Sequence, residues 1–258
     1  MEHAIALSLT GFAVGMIVGM TGVGGGSLMT PALVGIFRIN PAIAVGTDLA
    51  FAALTKAVGT RAHMKYAGVD REVVRLMLIG SLPAAMLAML WLKFGGMDPG
   101  AAGRMLRVAI AVSLGLTVVV LLWRDRLMEW RRGLGGEMSE AARRGITITA
   151  AAVIGALVAL SSIGAGAIGC VAIALIHPRL SAREVAATDI AYAVPLTALT
   201  ATGHAMAGNL DLALLLQLLI GSVPGIILGA RLSVRLPDRV SRRLLAGALV
   251  VAAVKTVA

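Results

Sequence analysis

Apolar runs about as long as a bilayer is thick recur from one end of the chain to the other, separated by short arginine-rich stretches. They predict ordinary membrane spans at about residues 42–60, 76–92, 105–123, 186–205, 212–230 and 242–258. Two further apolar segments, about 4–37 and 145–178, are longer and are broken by glycine. A straight helix of roughly 34 residues would measure about 51 Å against a hydrocarbon core of about 30 Å, so neither is a simple span. Asn40 and Ser181, just ahead of the first full span after each broken segment, are natural N-caps.

The pattern occurs twice. A shift of 141 positions lays Asn40 to Asp48 over Ser181 to Asp189 and continues without a gap. It pairs His63 with His204, Asp70 with Asp211, and Gly80-Ser-Leu-Pro83 with Gly221-Ser-Val-Pro224. Gly24-Gly25-Gly26 then falls on Ala165-Gly166-Ala167. Polar residues and prolines matching in one register mark an internal duplication. The expected organisation is a single membrane domain over 1–258: a first repeat at 1–123, a cytoplasmic connecting loop at 124–144 and a second repeat at 145–258.

Charge decides how the broken segments run. As re-entrant hairpins they leave three crossings per half, and 17 lysines and arginines gather on one face against 5 on the other. As straight crossings they give 11 against 10. Cationic loops concentrate on the cytoplasmic side. The bias therefore predicts hairpins, two inverted halves, a cytoplasmic loop at 124–144 and both termini outside.

Composition agrees. The chain is 59% hydrophobic and 14% charged, with mean hydropathy +0.92, where soluble domains carry roughly a quarter charged residues. The net charge of +10 raises nucleic acid as a partner, but 3% aromatics and arginines confined to short loops fit anionic lipid headgroups instead. Glu2 and His3 stand where a secretory signal carries Lys or Arg, so the N-terminus reads as mature sequence. One cysteine, Cys170, excludes an internal disulfide.

Breaking a helix at membrane depth exposes amides that cost several kcal/mol each unless protein, water or ligand meets them. The breaks fall at Thr21-Gly22-Val23-Gly24-Gly25-Gly26-Ser27 and at Ser161-Ser162-Ile163-Gly164-Ala165-Gly166-Ala167. Glycines allow close backbone approach, and helices restarting there aim positive N-termini at a cavity. With the hydroxyls of Thr21, Ser27, Ser161 and Ser162, this describes a site for a small oxyanion. The plainer reading is close helix packing by small residues.

Thr47-Asp48 and Thr188-Asp189 lie a few residues inside the span after each hairpin. Intramembrane carboxylates are costly and point to function, here a proton moved with or against the anion. They could equally answer the helix dipole or pair with Lys56 or Arg183. Lys56, the one cation well inside a span, either snorkels or balances the anion. His63 and His204 read as interface anchors rather than metal ligands, Pro83 and Pro224 as kinks that can hinge, and the methionines as core filling. No cofactor or metal is expected.

The stretch from Gly19 through Gly24-Gly25-Gly26 to Pro31, with Ala44-Val-Gly-Thr-Asp-Leu-Ala50 and Gly68-Val-Asp70, resembles the sulfite exporter TauE/SafE family of permeases. A weaker copy runs from Ala159 to Asp211. Both halves carry Thr-Asp where the family pattern leads one to expect Thr-Ser. The resemblance implies export or uptake of sulfur oxyanions or organosulfonates such as sulfite or sulfoacetate, whereas the residues themselves say only small anion.

An enzyme is not expected. A nucleotide site needs a strand before the glycines, and a serine hydrolase needs a Ser–His pair within reach. A secondary transporter in the cell membrane is the reading, with an anion channel or a permease for another small carboxylate or ion as the alternative. The expected partners are a small anion, the lipid bilayer and a proton co-substrate, with monomer and homodimer both open.

Overall fold

A computed structural model describes residues 2–21, 26–63, 68–96, 98–133, 138–233 and 247. The described residues form nine helices and no strand: α1 (Glu2–Thr21), α2 (Gly26–Gly35), α3 (Pro41–His63), α4 (Arg71–Phe94), α5 (Pro99–Gly133), α6 (Glu140–Ser161), α7 (Ala167–Ile176), α8 (Ala182–Met206) and α9 (Leu212–Ser233). Five are long and apolar enough to cross a membrane: Arg71–Phe94, Gly100–Gly133, Glu140–Ser161, Ala182–Met206 and Leu212–Gly229. The expected span at 242–258 lies outside the described residues, Gly247 excepted.

Local signals start the helices where the sequence places them. Asn40 Oδ1 accepts from the Ala42 amide at 2.9 Å, and Pro41 follows with φ already suited to a first helical turn. Ser181 and Glu184 close a reciprocal capping box at the head of α8. Asp70 caps α4 by accepting from Glu72 and Val73. Its carboxyl is pushed up by burial, but the Val73 and Glu72 amides and the Arg179 guanidinium together hold it below the ordinary carboxylate range. Pro83 and Pro224 lie inside α4 and α9, each one residue past a buried serine and its neighbour.

Both bounds of the expected connecting loop at 124–144 differ, since α6 already begins at Glu140. Residues 124–133 are not loop but the continuation of α5, a 35-residue helix. At 1.5 Å per residue it reaches about 52 Å, well past the hydrocarbon. Arg131 anchors the extension by donating from Nε to the Leu175 carbonyl of α7 at 3.2 Å. Arg131 and Arg132 also favour the negative end of the helix dipole.

Packing is inside-out relative to a soluble bundle. Val108, Val112, Leu116, Val119 and Leu122 form an exposed apolar stripe on α5, and Ile79, Met86, Leu90 and Trp91 one on α4, while Thr, Ser, Asp and Lys side chains are buried. Close crossings are made by small residues. Gly221, Gly225 and Gly229 of α9 lie directly on the α1 backbone at Ser8, Phe12 and Met16, and Gly80 and Gly155 bring α4 onto α6.

Partner choice follows the duplication. The shift of 141 makes α1 equivalent to α6 and α4 to α9. Helix α1 packs on α9 and α4 on α6, so the first helix of each half lies on the fourth of the other. Within both pairs residue numbers rise together: Ser8 meets Gly221 and Met16 meets Gly229, while Glu72 pairs with Arg144 and Ser81 lies against Gly155. The equivalent helices α3 and α8 meet in opposite directions, because Gly46 lies against His204 whereas Asp70, beyond the end of α3, reaches Thr188. Helix α7 also returns toward the start of α6, where His177 Nε2 and Thr147 Oγ1 are 3.0 Å apart.

Candidate functional site

Between α6 and α7 the chain leaves helical geometry over five residues. Ser162 takes the left-handed conformation at φ 60°, and Gly164 and Gly166 stand at φ 133° and 127°. The two glycines adopt a backbone that a side chain would disfavour. Ser161 braces the turn from inside: its Oγ donates to Leu157 O at 2.6 Å, lies 3.0 Å from Ser113 Oγ on α5, and accepts from the Ile163 amide at 3.1 Å. Helix α7 then begins at Ala167, with Gly166 at its N-cap and no side-chain cap.

Three charged side chains converge on this break. Lys56 of α3 is 7% exposed, and its Nζ donates to the Ala165 carbonyl at 3.0 Å. It thus reaches from the first half into the break of the second rather than snorkelling outward. Asp48, two helical turns earlier on α3, is fully buried. Its Oδ2 accepts from Thr30 Oγ1 at 2.5 Å and from the Thr30 amide at 3.2 Å, near the start of α2. Asp189 of α8 lies beside the Gly166 amide, Tyr192 and Cys170. Lys56 is within electrostatic range of both aspartates.

Several polar atoms of this centre have no hydrogen-bond partner among the described residues: Asp48 Oδ1, Ser162 Oγ, Asp189 Oδ1 and Tyr192 OH. Buried polar groups are paired in the great majority of cases, and here Ser162 stands beside Asp48 and Tyr192 beside Asp189, so the four groups face one another in pairs at the break. Asp189 Oδ1 and Tyr192 OH both press on Gly169, leaving no room there for a Cβ.

The sequence-derived candidates divide into three groups. Ser161, Ser162, Gly164 and Gly166 form the break, and Asp48 and Asp189 stand beside it with Lys56. Thr47 and Thr188 each take part in a contact between the halves. Thr47 Oγ1 accepts the Asp211 amide at 3.1 Å and Thr188 Oγ1 the Asp70 amide at 3.2 Å, a reciprocal clasp holding the head of each fourth helix to the other half. In the first break, Gly22, Gly24 and Gly25 lie outside the described residues; Thr21 ends α1, Gly26 opens α2, and Ser27 follows it.

His204 corrects an expectation. It is not an interface anchor but is 2% exposed, with Nε2 2.9 Å from the Ala159 carbonyl in the last turn of α6. A carbonyl there lacks its intrahelical partner because the helix stops, and the imidazole supplies one. His63 has its side chain outside the described residues. No cluster of three metal-ligating side chains occurs among the described residues.

Sequence reasoning missed Thr30, Tyr192 and the reach of Lys56. Helical spacing carried the signal for two of them, since Tyr192 lies one turn from Asp189 and Lys56 two turns from Asp48 on the same face.

A multi-pass helical membrane protein with charged side chains gathered at a buried helix break has the layout of a membrane transporter. The chain belongs to the sulfite exporter TauE/SafE family, whose sequence profile matches residues 7–256. It is similar to the probable membrane transporter protein YjnA of Bacillus subtilis (strain 168), 33% identical over 257 residues, 98% of this chain and 100% of that protein. YdhB of the same organism, likewise a probable membrane transporter protein, is 25% identical over 227 residues, 88% of this chain and 89% of its own. No solved structure matches the chain.

Proposed function

We propose that this protein is a secondary transporter that carries a small anion, a sulfur oxyanion or organosulfonate such as sulfite or sulfoacetate, across the cytoplasmic membrane by proton-coupled alternating access. The observation that carries the reading is the meeting of Lys56, Asp48 and Asp189 with unpaired polar atoms at the break between α6 and α7. An uncapped helix start beside a buried ammonium favours negative charge. In this state Asp189 supplies it. Protonation of Asp189 removes that charge and leaves Lys56 and the Gly166 amide to answer an incoming anion, so proton and anion move together.

Alternating access suits two inverted halves that rock about a central site. The opposite directions of the equivalent helices α3 and α8, the exchange of first and fourth helices and the return of α7 toward the start of α6 support inverted hairpin repeats. In that arrangement the arginine-rich ends of α5 and α6 face the cytoplasm and both termini lie outside.

Counterflow in liposomes tests the proposal. Saturable exchange of sulfite or sulfoacetate, accelerated by an inward proton gradient, is expected. Single-channel currents in a planar bilayer would replace the carrier with a pore, and transport of carboxylates to the exclusion of every sulfur anion would retire the substrate class.

A further inference from the structure

The extension of α5 past the membrane, unexpected from the sequence, builds a cleft. Its wall of α5 faces the turn between α7 and α8 across a cavity of about 550 Å³. Arg124, Arg131 and Arg132 line it together with Asp125, Glu129 and Pro178. Three guanidinium groups against two carboxylates leave the cleft one positive charge in excess. Arg131 is fixed there by its bond to Leu175 O, which uses one of five N–H donors. Arg124 is half-buried, the deepest in sequence of the three, and its charge reaches Cys170 on α7. Cys170 in turn lies beside Asp189 and within range of Lys56. Arg124 thus lines the cleft and lies within electrostatic range of Cys170, which itself stands beside Asp189.

We propose that this cleft is a binding site for small oxyanions and the entrance to the buried centre, with Arg124 the cation that draws the anion toward Cys170. The inference rests on the anion-transport reading of that centre. Guanidinium groups match the planar oxygen pairs of sulfonates and sulfite and bind them without a dehydration cost as large as an ammonium's. A cleft with net positive charge and low-dielectric walls also raises the local concentration of anions. Anionic lipid headgroups share this oxyanion chemistry, so the test separates the two sources.

The chain's one cysteine, half-buried, makes the route measurable. The whole protein in liposomes is treated with two methanethiosulfonates, one bearing an ethylsulfonate and one uncharged, and modification of Cys170 is timed by mass spectrometry. The sulfonate reagent is expected to react faster than the neutral one. Arg124→Gln lowers that ratio about tenfold, Arg124→Lys restores it, and Glu129→Gln raises it. The neutral reagent's rate stays constant throughout. A variant that has lost its fold betrays itself by a faster neutral reaction, and Glu129→Gln then carries the test alone.

Failure of Cys170 to react with either reagent, or a ratio indifferent to both substitutions, overturns the proposal. A sulfonate preference equal in phosphatidylcholine vesicles with and without phosphatidylglycerol assigns the cleft to soluble anions. One abolished by phosphatidylglycerol assigns it to a lipid headgroup and overturns the entrance role. Counterflow of sulfite reads the other reading separately: its absence with an intact ratio retires the substrate class and leaves the cleft, whereas normal counterflow with an indifferent ratio retires the cleft alone.

Discussion

Asp48 and Asp189 occupy equivalent positions in the two halves, yet their surroundings differ at nearly every neighbour. Asp48 is tied down by the hydroxyl and amide of Thr30. The equivalent of Thr30 is Val171, which has no hydroxyl to offer. Asp189 instead lies on Gly169 beside Tyr192, where the first half has Leu28 and Phe51. The lysine of this centre, Lys56, corresponds to Thr197, whose hydroxyl only returns to its own helix at Ala193 O, 2.8 Å away. Duplication placed two carboxylates, and later divergence gave one a threonine hydroxyl and amide and the other a tyrosine, a glycine and a cysteine as neighbours, a difference that the proposed transport role would use.

The largest effect is expected at the residue both carboxylates share. Lys56→Met leaves two buried carboxylates without their cation, a loss of about 3–5 kcal/mol by comparison with other broken buried pairs. Thermal unfolding in detergent should report it, and counterflow should vanish. Retention of both by Lys56→Met would break the comparison at its root, while Lys56→Arg retains part of each.

Next comes the division of labour. Asp189→Asn is expected to flatten the pH dependence of counterflow and slow it about a hundredfold, the scale of a lost proton-transfer group. Asp48→Asn should keep the pH profile and cost about 1–3 kcal/mol of stability through its disturbed Thr30 bonds. Reversal of the two profiles would exchange the roles. Gly169→Ala drives a methyl into Asp189 Oδ1 and Tyr192 OH, so about 1–3 kcal/mol and most of the activity should be lost.

Smaller effects test where the halves remain alike. Thr47→Val and Thr188→Val each remove one acceptor from the reciprocal clasp, and about 1 kcal/mol is expected from either, by the same unfolding measurement. Clearly unequal losses would show that the clasp too has diverged. The smallest belongs to Asp70 and Arg179, 3.0 Å apart with Arg179 largely exposed, a pair worth under about 1 kcal/mol. Because the folded Asp70 carboxyl lies below its unfolded value, its contribution is present above roughly pH 4 and fades as pH falls through the folded value. Asp70→Asn should remove that acid-side slope.

Much of the architecture was legible because the bilayer leaves a short menu: apolar run length and the repeated Asn40 and Ser181 caps are local or additive signals. The break at Ser161 to Ala167 and its neighbouring aspartates were legible for the same reason, since glycine and charge are conspicuous in lipid. The α5 extension was not, because Arg124 to Gly133 reads as solvated loop until Arg131 finds the Leu175 carbonyl on another helix. Thr47 and Thr188 read as site hydroxyls in the sequence, and only the fold shows that they also accept the Asp211 and Asp70 amides of the opposite half.

By itself, then, the sequence determined that this chain is a duplicated bundle of membrane helices broken at glycine, because hydropathy, spacing and backbone freedom act over a few turns. Tertiary structure alone decided that Lys56 of one half reaches Ala165 of the other, that His204 meets the open end of α6, and that Thr30 rather than Thr47 holds a carboxylate. Those contacts join residues far apart in the chain, and a hydrogen bond requires a partner within about 3 Å in space, which no periodicity along one strand of sequence can specify.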